Sequence, residues 1–433
     1  MTKIQPRIAI FYPFPGLAGA HYLRGAAELM AERGYQVDIY TQGRERYPSA
    51  LFRTGAIREI VDHPGVVEDA PVRVPAWADG VLRRYYRGLV ARILRPAWRR
   101  FVFPRQLRKK RTAGYVCAVG MDDRGIIAAG PIANVLNIPL VYWNLELRFL
   151  DEATDSAAVR RKRQEIRWCK QAVLTISQDR WRAKALAEEN GLDETQIALV
   201  PIASLGAAQR RRSNYLRARL GIAQGRKIVL CTGGFAWWTH TLEIVRAAPT
   251  WPMDYVLVVH SLTRKTDVTD YMKLVTDSAD GVHSIVSFDP VSSEDYQNVV
   301  DSADIGLAWY HIWDPVSHRL NKNMLFMGHS SGKLADYLKS GLPVVVNKSL
   351  GPSELIEEYR CGISVQEPGQ LGTALRRILD EYDSCAANAV RCFNERLELR
   401  RNFTKVLDRI EAAIQPALQR VRSDASPAMR VHL

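Results

Sequence analysis

The sequence predicts an α/β fold built from two halves, each containing a parallel β-sheet. A short apolar strand at Arg7 to Tyr12, a helix at about 20–33 and a second strand at 37–40 form a β-α-β unit at the start of the chain. A second series of strands and helices begins at residue 227, after a stretch rich in small residues and arginine. With 433 residues, the chain is long enough for two or three domains.

Composition places the chain among ordinary globular proteins. It is 47% hydrophobic and 24% charged. No apolar run approaches the ~20 residues needed to span a bilayer, and the first residues lack the pattern of a secretory signal. The six cysteines include no C-x-x-C pair and no histidines at zinc-binding spacing. We therefore expect reduced thiols, no metal site and a cytoplasmic protein.

The net charge of +14 is concentrated in residues 73–111. This segment holds thirteen Lys and Arg residues and one acid, Asp79, so it carries +12. Aromatic residues such as Tyr85 and Trp98 lie between the arginines. That mixture suits an anionic membrane surface, which is the interpretation we favour over a nucleic-acid patch. A helix packed on the domain with a solvated basic face is the third alternative.

The first half contains candidate ligand-binding residues after its strands. Gly16 and Gly19 lie in the first loop but do not complete a dinucleotide fingerprint. His21 follows, and its position near the start of a helix is typical of a surface histidine.

Three acidic residues follow later strands of the same half. Asp122 and Asp123 follow a strand at 115–120 and precede a helix over 126–136, and Glu146 follows a strand at 139–143. Ligands of α/β sheets bind beyond the carboxyl ends of strands, so all three are candidates for a cleft. Either aspartate could instead cap the helix that follows.

The second half offers backbone and cationic groups for a phosphate. The strand at 227–232 ends in Gly233 and Gly234, which allow backbone N–H groups to approach an anion. Arg264 and Lys265 follow the next strand, at 255–260, and either hold a phosphate or form a solvated loop.

Residues 330–347 are the most informative stretch. Ser330, Ser331 and Gly332 precede an apolar-periodic segment, which is the usual composition of a helix entrance. The free N–H groups there, with Lys333, can bind a phosphate or diphosphate, and Asp336 can accept hydrogen bonds from a ribose. An ordinary capped helix with a surface lysine and aspartate is the alternative.

The pattern Ser330-x-x-Lys333-x-x-Asp336-Tyr337, followed by Ser340-Gly341-x-Pro343-Val344-Val345, resembles the nucleotide-sugar motif of retaining glycosyltransferases of family 4. That family has the GT-B architecture, in which two Rossmann-like α/β domains face a central cleft. Its motif places a glutamate eight residues before a second acidic residue. Here Asp336 stands at the second position, and Gly328 stands where the first glutamate is expected.

The resemblance implies a domain organisation. Residues 1–205 form an acceptor-side domain with the basic aromatic insertion 73–111, and 206–225 form a linker. Residues 226–400 form the nucleotide-sugar domain. The chain is expected to be helical from about 368, with the helix at 401–422 returning to the first domain and 423–433 forming a tail.

The resemblance also implies a function, which is transfer of a sugar from a UDP- or GDP-linked donor to a glycan or lipid-linked acceptor without a cofactor. We expect this reaction at the cytoplasmic face of a membrane, with Lys333 as the catalytic cation for the leaving diphosphate. The donor-side residues are Gly233, Gly234, Arg264, Lys265, Ser330, Ser331, Gly332, Lys333 and Asp336. The acceptor-side residues are Gly16, Gly19, His21, Asp122, Asp123 and Glu146. An inactive GT-B subunit that binds a partner or lipid, and a nucleotide-sugar epimerase, are the alternatives.

Overall fold

The structure, a computed structural model, describes residues 5–14, 17, 19–41, 52, 54–61, 114–233, 235–314 and 319–425. Four of the predictions concern residues outside these ranges, namely those for Gly16, Gly234, the basic segment 73–111 and the last residues of the tail. They remain predictions.

Among the described residues, the first domain has a seven-stranded parallel sheet covered by helices. Its strands are β1 (Arg7–Phe11), β2 (Gln36–Thr41), β3 (Ile57–Val61), β4 (Tyr115–Met121), β5 (Leu140–Trp143), β6 (Leu174–Ser177) and β7 (Ile197–Leu199). Its helices are α1 (His21–Glu32), α2 (Asp122–Leu136), α3 (Ser156–Cys169) and α4 (Arg180–Asn190). The strand order is β3-β2-β1-β4-β5-β6-β7. All carboxyl ends therefore meet at one edge of the sheet.

The second domain repeats this design. Its strands, in chain order, are β8 (Lys227–Thr232), β9 (Tyr255–Ser261), β10 (Ser284–Phe288), β11 (Ile305–Ala308), β12 (Trp313–Asp314), β13 (Arg319–Leu320), β14 (Val344–Asn347) and β15 (Gly362–Val365). The helices before β14 are α5 (Tyr215–Leu220), α6 (Thr241–Ala247), α7 (Asp270–Ser278), α8 (Ser293–Asp301), α9 (Lys322–Leu325) and α10 (Gly332–Lys339). The later helices are α11 (Pro352–Tyr359), α12 (Leu371–Asp380), α13 (Tyr382–Cys392) and α14 (Leu399–Ala425). The main sheet has the order β10-β9-β8-β11-β14-β15, and β12 pairs with β13 in a separate hairpin.

Each sheet has apolar cores on its faces, as expected of parallel strands covered on both sides. Val344, Val345 and Val346 of β14 are all fully buried or nearly so. Val344 and Val346 contribute to one core of the second domain and Val345 to the other. The unbroken valine run therefore forms a strand that is buried on both faces.

The last helix, α14, packs on the first domain although it follows the second in sequence. The ring of Phe403 stacks on Trp143 at the end of β5, with 5.3 Å between the ring centroids. Arg33 at the end of α1 pairs with Asp408 at 3.0 Å and with Glu411 at 2.9 Å. These contacts tie the final helix to the first sheet.

The helical run that the sequence predicts from 368 is interrupted in the structure. It is divided into α12, α13, a π-helical turn at Phe393–Leu397 and α14. The backbone of Glu398 leaves the helical region, with ψ of 126°, and its N–H bonds to the carbonyl of Phe393. The final helix continues to Ala425 and so passes residue 423, where the sequence predicts the start of the tail.

All six cysteines are buried and carry free thiols. Within the part of the chain that the structure describes, no helix combines the length and apolar character needed to cross a membrane.

Candidate functional site

Helix α10 is held against β8 and β11 by its buried face. Leu334, Tyr337 and Leu338 are buried, as their spacing predicts. The ring of Tyr337 covers Gly306 of β11 so closely that a Cβ there would lie 2.4 Å from the ring. The Tyr337 hydroxyl accepts a hydrogen bond of 2.8 Å from the N–H of Thr232 at the end of β8. This docking brings the start of α10 to the carboxyl end of the sheet.

The start of α10 is capped by a serine, in agreement with the predicted helix entrance. The Ser331 hydroxyl accepts a hydrogen bond of 3.1 Å from the N–H of Leu334. It also bonds to the hydroxyl of Tyr310, which follows β11. Because the first N–H groups of a helix have no partner within the helix, those of Gly332 and Lys333 are available to an anion.

Lys333 and Gly233 face each other at this edge of the sheet. A Cβ atom on Gly233 would lie 3.8 Å from the Lys333 ammonium nitrogen, and Gly233 has a φ of +109°. The same ammonium lies 5.4 Å from the centroid of the Tyr310 ring. The lysine, the glycine loop after β8 and the start of α10 therefore converge. A phosphate placed there would meet backbone N–H groups and one cation.

The other predicted donor-side residues lie on α10 or on loops that precede it or follow β9. Ser330 is half-buried, and its hydroxyl donates to the carbonyl of Met327. A Cβ on Gly332 would lie 3.7 Å from the side chain of Ile202, so the first domain approaches the loop directly. Arg264 and Lys265 are exposed on the loop after β9. Since β9 neighbours β8, that loop shares the sheet edge with Gly233.

Asp336 is not fully exposed, as it would be on an ordinary capped helix with a surface aspartate. It is half-buried on α10, and burial raises the pKa of its carboxyl group to about 7, although the nearby Lys339 ammonium acts in the opposite direction. The Lys339 ammonium donates hydrogen bonds to Ser204 Oγ at 2.8 Å and to the Leu205 carbonyl at 2.7 Å. Asp336 thus shares a partly dehydrated site with one cation.

His21 reaches this site from the first domain. Its ring stacks on Tyr296 of α8 with 6.2 Å between centroids and an interplanar angle of 16°. Burial lowers the pKa of His21 to about 4, with Arg24 and Lys339 adding repulsion. The prediction of a surface histidine is therefore wrong, because the second domain covers one face of its ring. Gly19, two residues before it, is exposed.

Asp122 is a buried residue with an unusual backbone conformation. Its φ is +54°, and it is the first residue of α2, which begins four residues before the predicted start. Its Oδ1 accepts hydrogen bonds from the N–H groups of Leu145 at 2.6 Å and Glu146 at 2.8 Å. Burial, and then the Glu146 carboxylate, raise its pKa. Asp122 therefore supports the loop after β5, and the helix-capping alternative is wrong for it.

Asp123 and Glu146 line a cavity between the two domains. Asp123 pairs with Arg148 at 3.0 Å, and the Asn323 amide of the second domain donates to the Glu146 carboxylate. The cavity has a volume of about 420 Å³ and includes Lys162 in its wall. Its lining mixes carboxylates, cations and amides, which suits a ligand with many hydroxyl groups.

Tyr296 and Lys339 are components of the site that the sequence alone does not identify. A tyrosine on an amphipathic helix and a lysine near a helix end have no distinguishing pattern. Asp179 is different, because it lies two residues after the end of β6, and the rule that selects Asp122 and Glu146 would have selected it as well. Among the described residues, no group of three or more His, Cys, Asp or Glu side chains is placed to hold a metal ion.

Comparison with known proteins gives one family match. Residues 260–410 match the model of the glucosyltransferase 3-like C-terminal domain. This range includes Lys333 and Asp336. None of the functionally curated proteins matches the chain.

Solved structures resemble the chain over nearly its whole length. Sucrose-phosphate synthase from Thermosynechococcus elongatus is 15% identical, with a TM-score of 0.65 over 98% of this chain and 100% of that one. HepE from Anabaena, in complex with UDP, is 13% identical, with a TM-score of 0.61 over 94% and 100%. WaaG, a glycosyltransferase involved in lipopolysaccharide biosynthesis, is 16% identical, with a TM-score of 0.58 over 93% and 99%. The chain has the GT-B fold of these proteins, as the sequence predicts.

Proposed function

We propose that this protein is a glycosyltransferase that moves a sugar from a UDP- or GDP-linked donor to a glycan or lipid-linked acceptor. The observation that carries the proposal is the convergence of Lys333, Gly233 and the capped start of α10 at the carboxyl end of the second sheet. Further support comes from the GT-B fold, the glucosyltransferase 3-like match and the UDP bound in HepE. Such a site is suited to a nucleoside diphosphate.

In the proposed reaction the donor diphosphate lies on the N–H groups that begin α10. The Lys333 ammonium stabilises the negative charge that grows on the diphosphate as the bond to the sugar breaks. Asp336 accepts hydrogen bonds from the ribose hydroxyls. Its partial burial on α10 supports this role, because a carboxylate in a partly dehydrated site binds a diol more strongly than one in water.

We further propose that the enzyme belongs to family 4 and retains the anomeric configuration of the sugar. The support is the motif from Ser330 to Val345, with Asp336 at the second acidic position. Proton NMR of the first product formed reports the configuration before mutarotation. An inverted product would contradict this assignment and leave the glycosyltransferase proposal standing.

The acceptor is proposed to bind on the side of the first domain. The polar cavity of about 420 Å³ that Asp123 and Glu146 line is large enough for a sugar unit and lies between the domains. Its carboxylates and amides can accept and donate hydrogen bonds to hydroxyl groups. His21, which lies across from α8, completes the acceptor side of the cleft.

We also propose that the enzyme works on the cytoplasmic face of a membrane. The charge and aromatic content of residues 73–111 are one support. The other is helix α3, where Arg160, Arg163 and Arg167 line a single groove and are all exposed. Arginines on one helix face can meet several lipid phosphates together.

Substitution of Lys333 tests the donor site. Lys333→Ala should weaken UDP binding by about 1.5–3 kcal/mol, the scale for a hydrogen bond to a charged group, and leave uridine binding nearly unchanged. Isothermal titration calorimetry with both ligands measures the difference. Lys273→Ala, which removes an exposed lysine of α7, is the matched control and should bind UDP like the parent protein.

Several results would contradict the proposal. Equal weakening of UDP and uridine binding would mean that Lys333 acts through folding. Failure of the parent protein to bind either UDP or GDP would remove the donor site altogether. Binding without any transfer to glycan or lipid-linked acceptors would favour the inactive-subunit alternative, and conversion of a free nucleotide sugar to its epimer would favour the epimerase.

A further inference from the structure

Residues of the first domain bind the segment 326–329, which precedes the proposed diphosphate-binding residues 330–333. Asp179 and Arg182, at the start of α4, are 5% and 1% exposed. The Asp179 Oδ2 accepts a hydrogen bond of 2.6 Å from the N–H of His329. The Arg182 guanidinium donates to the Phe326 carbonyl at 2.8 Å and to Asn323 Oδ1 at 2.9 Å. Two buried, charged side chains of one domain thus hold the backbone of the other.

Gly328 makes this close approach possible. A Cβ atom at residue 328 would lie 1.7 Å from Asp179 Oδ2, and the φ of Gly328 is +52°. Gly351 also lies close, since a Cβ atom there would lie 2.5 Å from the Cα of Gly328. The Asp179 carboxylate therefore occupies the space that a side chain at residue 328 would need. Gly328 is the position at which the family motif has its first glutamate. The absence of that glutamate and the close approach of Asp179 therefore depend on each other.

The segment 326–329 leads directly into residues 330–333, where the donor diphosphate is proposed to bind. His329 receives the Asp179 bond at its N–H, and its carbonyl accepts a bond of 3.0 Å from the N–H of Ile202. Ser331, two residues later, caps α10, and Lys333 follows in the first turn. A displacement of His329 would therefore be transmitted to the N–H groups and the ammonium proposed to bind the diphosphate.

We propose that Asp179 and Arg182 are positioning residues of the first domain that place the donor-binding loop of the second. They touch no substrate and act through the backbone at 326–329. The inference rests on the proposed donor site at 330–333. Both side chains are charged and buried, and each makes hydrogen bonds that a shorter or neutral side chain would lose.

Two matched substitutions test this role. Asp179 caps α4 by accepting from the N–H groups of Trp181 and Arg182 at 2.8 and 3.1 Å. Asp155 caps α3 in the same way, with two bonds of 2.8 Å, and is exposed. Because asparagine caps helices about as well as aspartate, Asp179→Asn and Asp155→Asn should both keep their helix caps, and only the bond from Asp179 to the N–H of His329 is at risk. Only Asp179→Asn should raise the Kd for UDP, by roughly tenfold, the factor for losing a hydrogen bond to a charged group.

A second pair keeps the test decisive if Asp179→Asn does not fold. Gly328→Ala adds the colliding methyl group, whereas Gly221→Ala adds one at a similar φ of +66° with no atom within 4 Å. Gly328→Ala should weaken UDP binding and Gly221→Ala should not. The losses caused by Gly328→Ala and by Asp179→Ala should add up to more than the loss in the double variant, because the collision is absent when both are introduced.

The inference and the proposed function fail in different ways. If the parent binds neither UDP nor GDP, the donor site itself is wrong. If the parent binds UDP, and Asp179→Asn binds it as tightly as Asp155→Asn does, the positioning role is overturned while the donor site stands. Equal UDP affinity of Gly328→Ala and Gly221→Ala would overturn it in the same way.

Discussion

Asp336 shows how much the surroundings of one residue determine its chemistry. From the sequence it is an aspartate three residues after Lys333 on a helix, where an exposed carboxylate would contribute little to stability. In the structure it is half-buried, and burial raises its pKa from 3.8 to about 7. The ionised form of this carboxyl group is therefore unfavourable in the folded protein without ligand. Perturbed pKa values of this kind are typical of binding sites.

Replacement of Asp336 should stabilise the protein in a defined pH range. An aspartate whose pKa is higher in the folded state binds its proton more tightly when folded, so the free energy of unfolding falls as the pH rises from about 4 to 7. Asparagine does not titrate. Asp336→Asn should therefore melt at a higher temperature than the parent at pH 8 and show little difference at pH 4.

Two controls accompany this measurement. Asp277→Asn, at an exposed position on α7, should show no comparable pH-dependent gain. The same Asp336→Asn protein should lose affinity for UDP at pH 8 but not for 2′,3′-dideoxy-UDP, because the latter lacks the hydroxyls that Asp336 is proposed to bind. A stability difference that does not change between pH 4 and 8 would show that the pKa of Asp336 is not raised by folding.

At the scale of elements, helix α3 has two faces with different roles. Lys162 and Glu165 are buried and pair with each other at 3.2 Å, and the Tyr142 hydroxyl donates to Glu165 at 2.7 Å. Arg160, Arg163 and Arg167 lie at i, i+3 and i+7 on the exposed side and line a groove of about 590 Å³. No acidic side chain is among the described residues that line this groove.

The exposed face of α3 should contribute to membrane binding. Each basic residue near an anionic surface contributes about 1 kcal/mol, so replacing the three arginines with glutamine should weaken binding to phosphatidylserine vesicles roughly a hundredfold. Sedimentation with vesicles at low salt measures this binding.

A control with the same change in net charge distinguishes the face from the total charge. Arg246, Arg376 and Arg377 are exposed on helices of the second domain, and their replacement with glutamine also removes three charges. If both triple variants lose vesicle binding to the same extent, net charge alone explains the binding and the exposed face of α3 is not required.

At the scale of the whole molecule, α14 joins the end of the chain to its beginning. Phe403 of this helix is fully buried against Trp143, in the core that also contains residues of β1 and β2. The first domain is therefore completed by residues that follow the second domain in sequence.

Phe403→Ala should lower the free energy of unfolding by about 3–5 kcal/mol, the usual effect of removing a buried phenylalanine. Urea denaturation measures this change. Met253→Ala, at a 67% exposed position, is the control and should change stability little. A Phe403→Ala protein as stable as this control would show that α14 does not contribute to the core of the first domain.

Local pattern was sufficient to predict the repeating elements. The strand β8 has the predicted bounds, and Ser331 caps its helix as expected, because strand burial and helix capping depend on neighbouring residues. The strand β3 and the helices α3 and α4 were not predicted. The many charges of α3 and α4 hide their narrow buried faces.

The sequence by itself determined the α/β class and the two successive α/β halves, since both follow from short-range patterns. The closeness of Lys333 to Gly233 is seen only in the structure. Only the tertiary structure decided which residues of one domain meet the other. The stacking of His21 on Tyr296 and the hydrogen bond from the N–H of His329 to Asp179 both join segments far apart in sequence. Contacts of that kind depend on how the two sheets face each other, and this arrangement leaves no local periodicity in the chain.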